Sequence, residues 1–588
     1  MSDHAGASTA EQGKRTKRAK PDWAAQLADR VLRRHERRTG AGGDRPVVIA
    51  SGMSPSGPIH LGNLRELMVP HFVAEEIRGR GIACDHLLSW DDYDRLRKVP
   101  AGVPSSIAEH IGRPLSSVPD PYGELSSYAE RFKAPLRRAM HQLGVAVREI
   151  SQTEMYRNGA YRDEIIQAID ARRSINEVLD RFRTLEVQAE PRDTGPEDGE
   201  RVLEPGGAED DPGPAETSGD YWPYKVYCQT CGRDLTEIES AAPGEGTYPI
   251  EYRCTACGHH GRFDLFVENH GKLVWKVDWP MRWAHEGVTF EAGGADHSSP
   301  GSSFSVGSEL VTSVFGGEPP EYEAYSFVGI KGMGKLSSSA GAVPTPADAL
   351  GVLEAPILRW MYVRKTPRQG ITVDLGSGIH ALYDEWDALS RKVESGEATP
   401  AQVVTYDRAR RSSSRAALDR PTIVVPFRTL ASAVSVAAGD DRQLTRIISE
   451  LTDVPAESAN DTEPRLGLAR HWIEMYAPDD ERITVRADPD TERLASLSNA
   501  EANQISLLLQ HLDDDWTLEG ARTLVYGVPK LAAGLAIDTP PTDELKVAQR
   551  NFFKLLYELF LSADTGPRMP TLLMALGRDE VRRLLGAG

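Results

Sequence analysis

Between residues 21 and 40 apolar side chains recur at helical intervals, with Trp23, Leu27, Val31 and Leu32 on one side, which predicts an amphipathic helix. Pro46-Val47-Val48-Ile49-Ala50 is then a short unbroken apolar run, the profile of a strand buried on both faces of a parallel sheet. A glycine-containing loop, 51–58, leads into a helical segment over 61–78 that ends at Gly79 and Gly81. Pro70 inside that segment predicts a kink or an early break. Cys84 to Trp90 reads as a second strand and runs directly into Asp91-Asp92-Tyr93-Asp94. Strand, loop, helix and strand make a βαβ unit, which implies a doubly wound parallel sheet with ligands at the carboxyl ends of its strands. Residues 51–63 and 91–94 are therefore expected to border one crevice. Two further runs, 272–277 and 323–330, are expected to complete the sheet. Beyond about residue 348 the pattern turns to amphipathic helices, as in 357–363 and 551–561, and predicts an all-helical C-terminal module. There is no internal repeat.

Composition adds limits. A chain of 588 residues is expected to form about three to five domains. No apolar run approaches the roughly 18 residues of a membrane span, and the start lacks the apolar stretch of a secretory signal. Residues 1–20 read as a disordered basic arm. Four of the five cysteines lie in two C-x-x-C pairs, a pattern of metal binding in a reducing, cytoplasmic setting rather than of disulfides. The net charge of −19 does not point to nucleic acid, yet a local basic surface suffices for phosphate contacts. Much of the acidity falls in 189–220, rich in Pro, Gly, Glu and Asp. Such a segment buries too little apolar surface to offset its ordering entropy, so it is expected to be a disordered insert without chemistry.

The loop Ser51-Gly52-Met53-Ser54-Pro55-Ser56-Gly57-Pro58-Ile59-His60-Leu61-Gly62-Asn63 has the parts of a nucleotide site. Its glycines allow close backbone approach, and the helix that follows presents free amides and a positive dipole end to phosphate. A blander reading makes the glycines turn formers and His60 a capping residue. His60-Leu61-Gly62-Asn63 further resembles the HIGH signature of class I aminoacyl-tRNA synthetases, with the terminal Asn typical of their lysyl subfamily. The resemblance implies a Rossmann-type catalytic domain, ATP binding by Gly57, His60, Gly62 and Asn63, and a catalytic role for His60.

Downstream, Lys331-Gly332-Met333-Gly334-Lys335-Leu336-Ser337-Ser338-Ser339 is a basic, glycine-bearing loop after a strand. Alone it would pass for a solvated loop. It lies about 275 residues after His60 and resembles the KMSKS signature in its lysyl KMSSS form, with Leu336 for Met and Ser338 for the second Lys. By that resemblance Lys335 is catalytic, and Lys335, Ser337, Ser338 and Ser339 bind ATP, with Mg²⁺ accompanying the nucleotide. The implied reaction is ATP-dependent formation of lysyl-adenylate, followed by transfer of lysine to the 3′ end of tRNA(Lys).

Cys228-x₂-Cys231-x₂₂-Cys254-x₂-Cys257 has zinc-ribbon spacing, and four thiolates leave no open position, so a Zn²⁺ there is expected to be structural. A lysine pocket should pair carboxylates with aromatic walls. The resemblance assigns lysine contacts to Gly52, Ser54 (Thr in many relatives), Trp275, His297 and Tyr325, while Asp91, Asp92 and Asp278 are candidate partners of the ammonium. The alternative for Trp279 and Trp283, at helical spacing, is plain core. Phe553 to Tyr557 with Gly566-Pro567-Arg568 resembles the helical anticodon-binding region shared by the lysyl and glutamyl enzymes. The expected organisation is therefore an arm (1–20), a catalytic domain (21–345) and an anticodon-binding domain (346–588). Within the catalytic domain lie the insert 189–220 and a zinc-ribbon-like insertion 221–265. A cytoplasmic monomer that acts on lysine, ATP and tRNA(Lys) and touches no membrane is expected. The alternatives are a glutamyl or arginyl enzyme of the same class, although a glutamate pocket would want arginines where WDDYD and VDWP carry acids, and an inactive RNA-binding relative, which would not need His60 and Lys335.

Overall fold

The computed structural model describes residues 22–40, 45–188, 201–203, 221–298, 302–331, 343–411, 421–437, 441–452, 458–478, 481–482 and 484–586. The basic arm, most of the acidic insert, and Lys335 with Ser337, Ser338 and Ser339 lie outside these residues. The described strands are β1 (Val47–Met53), β2 (Cys84–Trp90), β3 (Arg148–Ser151), β4 (Arg201–Leu203), β5 (Tyr224–Val226), β6 (Thr236–Ala241), β7 (Pro249–Cys254), β8 (His260–Asp264), β9 (Gly271–Leu273), β10 (Phe290–Gly294), β11 (Glu321–Tyr325), β12 (Val328–Lys331) and β13 (Ile371–Asp374).

The main sheet runs β11-β10-β1-β2-β3, and every pairing in it is parallel. The alternation along β1 explains why it is central. Val47 and Ile49 pack against α1 (Trp23–Thr39) and α2 (Leu61–Gly79). Val48 and Ala50 face the helix Trp275–Glu286 and its tryptophans. A strand apolar on both faces is thus covered by helices on both faces.

Three expectations about elements are corrected. The run 272–277 does not join the sheet: β9 forms a two-stranded antiparallel ribbon with β5, and Trp275 opens a helix. The run 323–330 divides into β11, which is in the main sheet, and β12, which pairs with β13 and β4 in a separate one. The strands β3 and β10, which periodicity had not revealed, complete the main sheet instead. Pro70 does not break α2. A proline there cannot donate to the Glu66 carbonyl one turn back, and the Ser51 hydroxyl from β1 donates to it at 3.2 Å. A neighbouring strand supplies the bond the helix lacks.

Within the acidic insert, the backbone of Arg201–Leu203 forms a strand antiparallel to β12, where composition predicts disorder. The cysteine-bearing insertion is a three-stranded antiparallel sheet, β6-β7-β8. After residue 345 the chain is mostly helical, with β13 as the described exception. One continuous apolar cluster runs from Met53 and α2 into this region as far as Leu585. Among the described residues no helix is long and apolar enough to cross a membrane.

Candidate active site

In the main sheet β1, β2 and β3 proceed to one side of β1, and β10 and β11 lie on the other. The order reverses between β1 and β10, and the carboxyl ends of the strands at such a reversal form the usual ligand crevice. A narrow cavity lies there, lined by Gly52, Met53 and Ser54 of the β1 end, by Asn63 and Glu66 of α2, and by Gly293 and His297 after β10. Its far wall is Trp275, Trp279, Arg282 and Trp283.

The start of α2 accounts for the His60 motif at the level of the backbone. His60 caps the helix: its Nδ1 accepts from the Asn63 amide at 3.3 Å, and the Asn63 side-chain oxygen accepts from the His60 amide at 3.2 Å. This reciprocal cap satisfies two of the helix's spare amides. It also gives the Asn of the motif a physical reason. With Nδ1 accepting, the ring proton of neutral His60 sits on Nε2. His60 is thus a capping residue and keeps a donor at the helix N-terminus. Gly57 permits the loop to pass close to Pro100, since a Cβ there would lie 3.1 Å from the Pro100 ring.

Gly52, Ser54, Trp275 and His297, expected to contact lysine, all line the cavity. Tyr325 is buried, and its hydroxyl donates to Glu66 Oε2 at 3.3 Å. A Cβ on Gly52 would stand 3.4 Å from Glu66 Oε1, so the glycine keeps space in front of that carboxylate. Trp275 stacks on Trp279, centroids 5.3 Å apart and 14° from parallel, and His297 meets the edge of Trp279. The tryptophans at helical spacing are core and cavity wall at once.

The three aspartates expected to meet the ammonium fare differently. Asp91 lines the cavity and bonds Arg282 at 2.6 Å. Asp92 lies away from the lining, with Lys133 Nζ at 2.6 Å, Ser151 Oγ at 2.6 Å and the Thr153 amide at 2.8 Å. Asp278 is also behind the wall, held by Arg282, by the Tyr156 hydroxyl at 2.5 Å and by Lys272 at 3.3 Å. Lys272 also pairs with Asp94. Asp91, Asp94 and Asp278 thus share two cations, Lys272 and Arg282, and the buried cluster retains an excess of one negative charge.

Sequence reasoning passed over two carboxylates. Glu66 stands three residues after Asn63, on the same helix face. Glu291 stands two before Gly293, on the same strand face. Burial pushes Glu291 up to about 7, although its carboxylate accepts the indole N–H groups of Trp279, at 3.1 Å, and Trp283. These helix and strand spacings were the available signals.

The four cysteines converge. Their Sγ atoms lie within 4.8 Å of one another, with 3.7 Å between Cys228 and Cys257 and between Cys231 and Cys254. A tetrahedron with zinc–sulfur bonds of about 2.3 Å has edges of about 3.8 Å, so the four thiols fit Zn²⁺.

Residues 21–411 match the family model described as tRNA synthetases class I (K). The lysine–tRNA ligase of Streptomyces coelicolor is 48% identical to this chain, over 96% of the chain and 98% of its own length. That of Pyrococcus horikoshii is 33% identical, over 96% and 99%. A solved glutamate tRNA ligase from Elizabethkingia meningosepticum covers 92% of the chain and 99% of its own at 13% identity, with a TM-score of 0.38 that is too low to bear on the fold. A family match over two thirds of the chain, joined to near full-length likeness to two lysine–tRNA ligases, shows that the chain belongs to the class I lysyl-tRNA synthetases.

Proposed function

We infer that the chain activates L-lysine with ATP as lysyl-adenylate and transfers the lysyl group to the 3′ end of tRNA(Lys). The observation that carries this is one cavity at the sheet's reversal point that joins the His60 helix start to carboxylates and a tryptophan wall, in a chain 48% identical to a lysine–tRNA ligase. In the first step the lysine carboxylate attacks the α-phosphorus of ATP and pyrophosphate leaves. In the second a terminal ribose hydroxyl of the tRNA attacks the lysyl carbonyl and AMP leaves.

The protein's part is placement and charge stabilisation. We assign phosphate contacts to the amides at the start of α2, including Gly62 and Asn63, to Gly57, to the Nε2 donor of His60, and to Lys335 with Ser337, Ser338 and Ser339. Mg²⁺ bound with the nucleotide would neutralise its phosphate oxygens. Gly52, Ser54, Trp275, His297 and Tyr325 form the lysine site. The carboxyl end of lysine must reach the phosphates at the start of α2. Glu66, one turn along that helix, is therefore assigned to the α-ammonium. The ε-ammonium then falls to Asp91, Glu291 and the Trp275 ring, beside a cluster with surplus negative charge. Asp278 holds that cluster together and Asp92 is taken up by Lys133, Ser151 and Thr153, so neither is assigned to lysine.

Cys228, Cys231, Cys254 and Cys257 would hold a structural Zn²⁺. The helical region after residue 345 is assigned to the anticodon. It contains a cavity of about 1150 Å³ lined by Tyr526, Phe553, Arg522, Lys530, Lys546 and Arg568, a set of ring faces and cations suited to unstacked bases. We take the chain to work as a cytoplasmic monomer.

Pyrophosphate exchange with each of the twenty amino acids, with and without total tRNA, tests the reading. Exchange dependent on lysine alone is expected. Exchange driven by another amino acid, or none under either condition, would overturn it.

A further inference from the structure

Arg65 lies in the second turn of α2 and is 1% exposed. Among the described residues its side chain has no carboxylate as a hydrogen-bond partner. Nη1 donates to the Ser326 carbonyl at 2.9 Å and to Phe327 at 3.4 Å. Nη2 donates to the carbonyls of Thr366, Pro367 and Gln369 at 3.0, 2.8 and 2.7 Å. Burying a cation is costly, and among the described residues this one is balanced by backbone carbonyl dipoles. Burial accordingly lowers the guanidinium to about 10.

The carbonyls belong to two connections. Ser326 and Phe327 link β11 to β12, the strand that ends at Lys331. Thr366 to Gln369 lead into β13, the parallel partner of β12. On the far side of residues 332–342, the Pro344 carbonyl accepts from the Leu61 amide at 3.0 Å. The Tyr362 hydroxyl donates to the Leu61 carbonyl at 2.7 Å. The chain before and the chain after the signature segment are therefore both tied to the first turns of the helix that His60 caps.

We propose that Arg65 is a positioning residue for adenylate formation, one that sets the His60 helix in register with β12, the strand that ends four positions before Lys335 in the sequence. The proposal rests on the assignment of Lys335 to ATP. A five-acceptor fork is a task for guanidinium, because an ammonium has three donors and no fixed plane. In-line attack tolerates little misplacement, and an error of about 1 Å costs about 100-fold in rate.

The full-length chain carrying Arg65→Lys, Lys335→Ala or both is to be assayed by lysine-dependent pyrophosphate exchange in the presence of tRNA. Lysine binding is followed in parallel by quenching of tryptophan fluorescence. Arg65→Lys is expected to lower kcat about 10- to 100-fold while the KM for lysine and the quenching titration stay within about twofold. The double variant is expected to fall little below Lys335→Ala alone, because a residue that acts through another loses its effect when that other is gone. Additive losses, a near-normal kcat for Arg65→Lys, or a kcat that falls in step with lysine affinity would each overturn the proposal. If Arg65→Lys does not fold, Tyr362→Phe removes one hydroxyl from the same joint and is expected to lower kcat severalfold, and an unchanged kcat would count against it. Undiminished exchange by Lys335→Ala would remove the reading of Lys335 itself, and the proposal with it. Additivity in the presence of a deleterious Lys335→Ala would remove the Arg65 proposal alone.

Discussion

Glu291 shows how one residue can report on the whole site. Its carboxyl sits at 5% exposure between two indole donors, and burial raises it from the ordinary 4.5 to about 7. Between those values the unfolded chain has released the proton and the folded chain still holds it, so stability declines as pH rises through the window. Glu291→Gln keeps a carbonyl for the two N–H groups and removes the titration. Relative to the parent, the variant is expected to gain on the order of 3 kcal/mol between pH 5 and pH 8, measured by urea unfolding at each pH. A difference that does not change with pH would show that Glu291 is ionised throughout. Glu291 was hardly legible in the sequence, because its one signal, a place two residues before Gly293 on a strand face, has meaning only once β10 is known to be a strand. His60 and Asn63 were legible, because they stand in a four-residue motif that resembles the HIGH signature.

At the scale of elements, α2 and β1 supply each other's deficits. Pro70 leaves the Glu66 carbonyl without its helical donor, and Ser51 on β1 provides one. Ser51→Ala is expected to cost about 1–3 kcal/mol, because a buried acceptor is left unmet. Adding Pro70→Ala restores an amide at the proper place and should recover most of that loss, as read from the urea midpoint. If the double variant is no more stable than Ser51→Ala, the account of Pro70 is wrong. The ribbon makes a separate prediction. Its β6-β7-β8 sheet is joined by few apolar residues beyond Tyr248, Ile250, Tyr252 and Phe263. If the four thiols hold Zn²⁺, a chelator is therefore expected to open this unit before the Rossmann-type sheet, with loss of amide protection over 228–257 and recovery on adding Zn²⁺. Protection that survives demetallation would assign the ribbon's stability to packing. The run 272–277 was misplaced because a short apolar run fits a strand and a buried helix equally well; its first residues pair with β5 and Trp275 opens a helix. The run 323–330 is strand in both halves, and which sheet each half joins is a tertiary choice.

For the whole molecule, the catalytic and helical regions share a core, so the second is not merely appended to the first. Arg359 is fully buried and donates to Glu75 of α2 at 2.8 Å, to the Leu143 carbonyl at 2.9 Å and to the carbonyls of Arg408 and Ala409 at 2.9 and 3.1 Å. The cavity around Tyr526 is bordered by residues of the same core, among them Ala431, Trp472 and Met569. Tyr526 is 43% exposed and meets the Phe553 ring edge-on at 5.0 Å. If bases stack there, Tyr526→Ala is expected to raise the KM for tRNA(Lys) about 5- to 100-fold, the equivalent of about 1–3 kcal/mol of base stacking, with the KM for lysine unchanged. An unaltered KM for tRNA would move the anticodon elsewhere.

The sequence by itself determined the βαβ start, the helix that His60 caps, the four-cysteine set and the helical texture of the last third. Each of these is written in local pattern: a short unbroken apolar run, period 3.6, a signature motif, a C-x-x-C pair. Only the tertiary structure decided which carboxylates face the cavity. Asp91, Asp92 and Asp278 look alike in sequence, and what separates them is which cations the fold sets beside each: Arg282 and Lys133, distant in the chain, at Asp91 and Asp92, and the nearby Lys272 and Arg282 at Asp278. The same holds for Arg65, whose five acceptors lie 261 to 304 residues downstream. Backbone carbonyls carry no mark in a sequence, and a residue that works by gathering them becomes visible once the fold has brought them together.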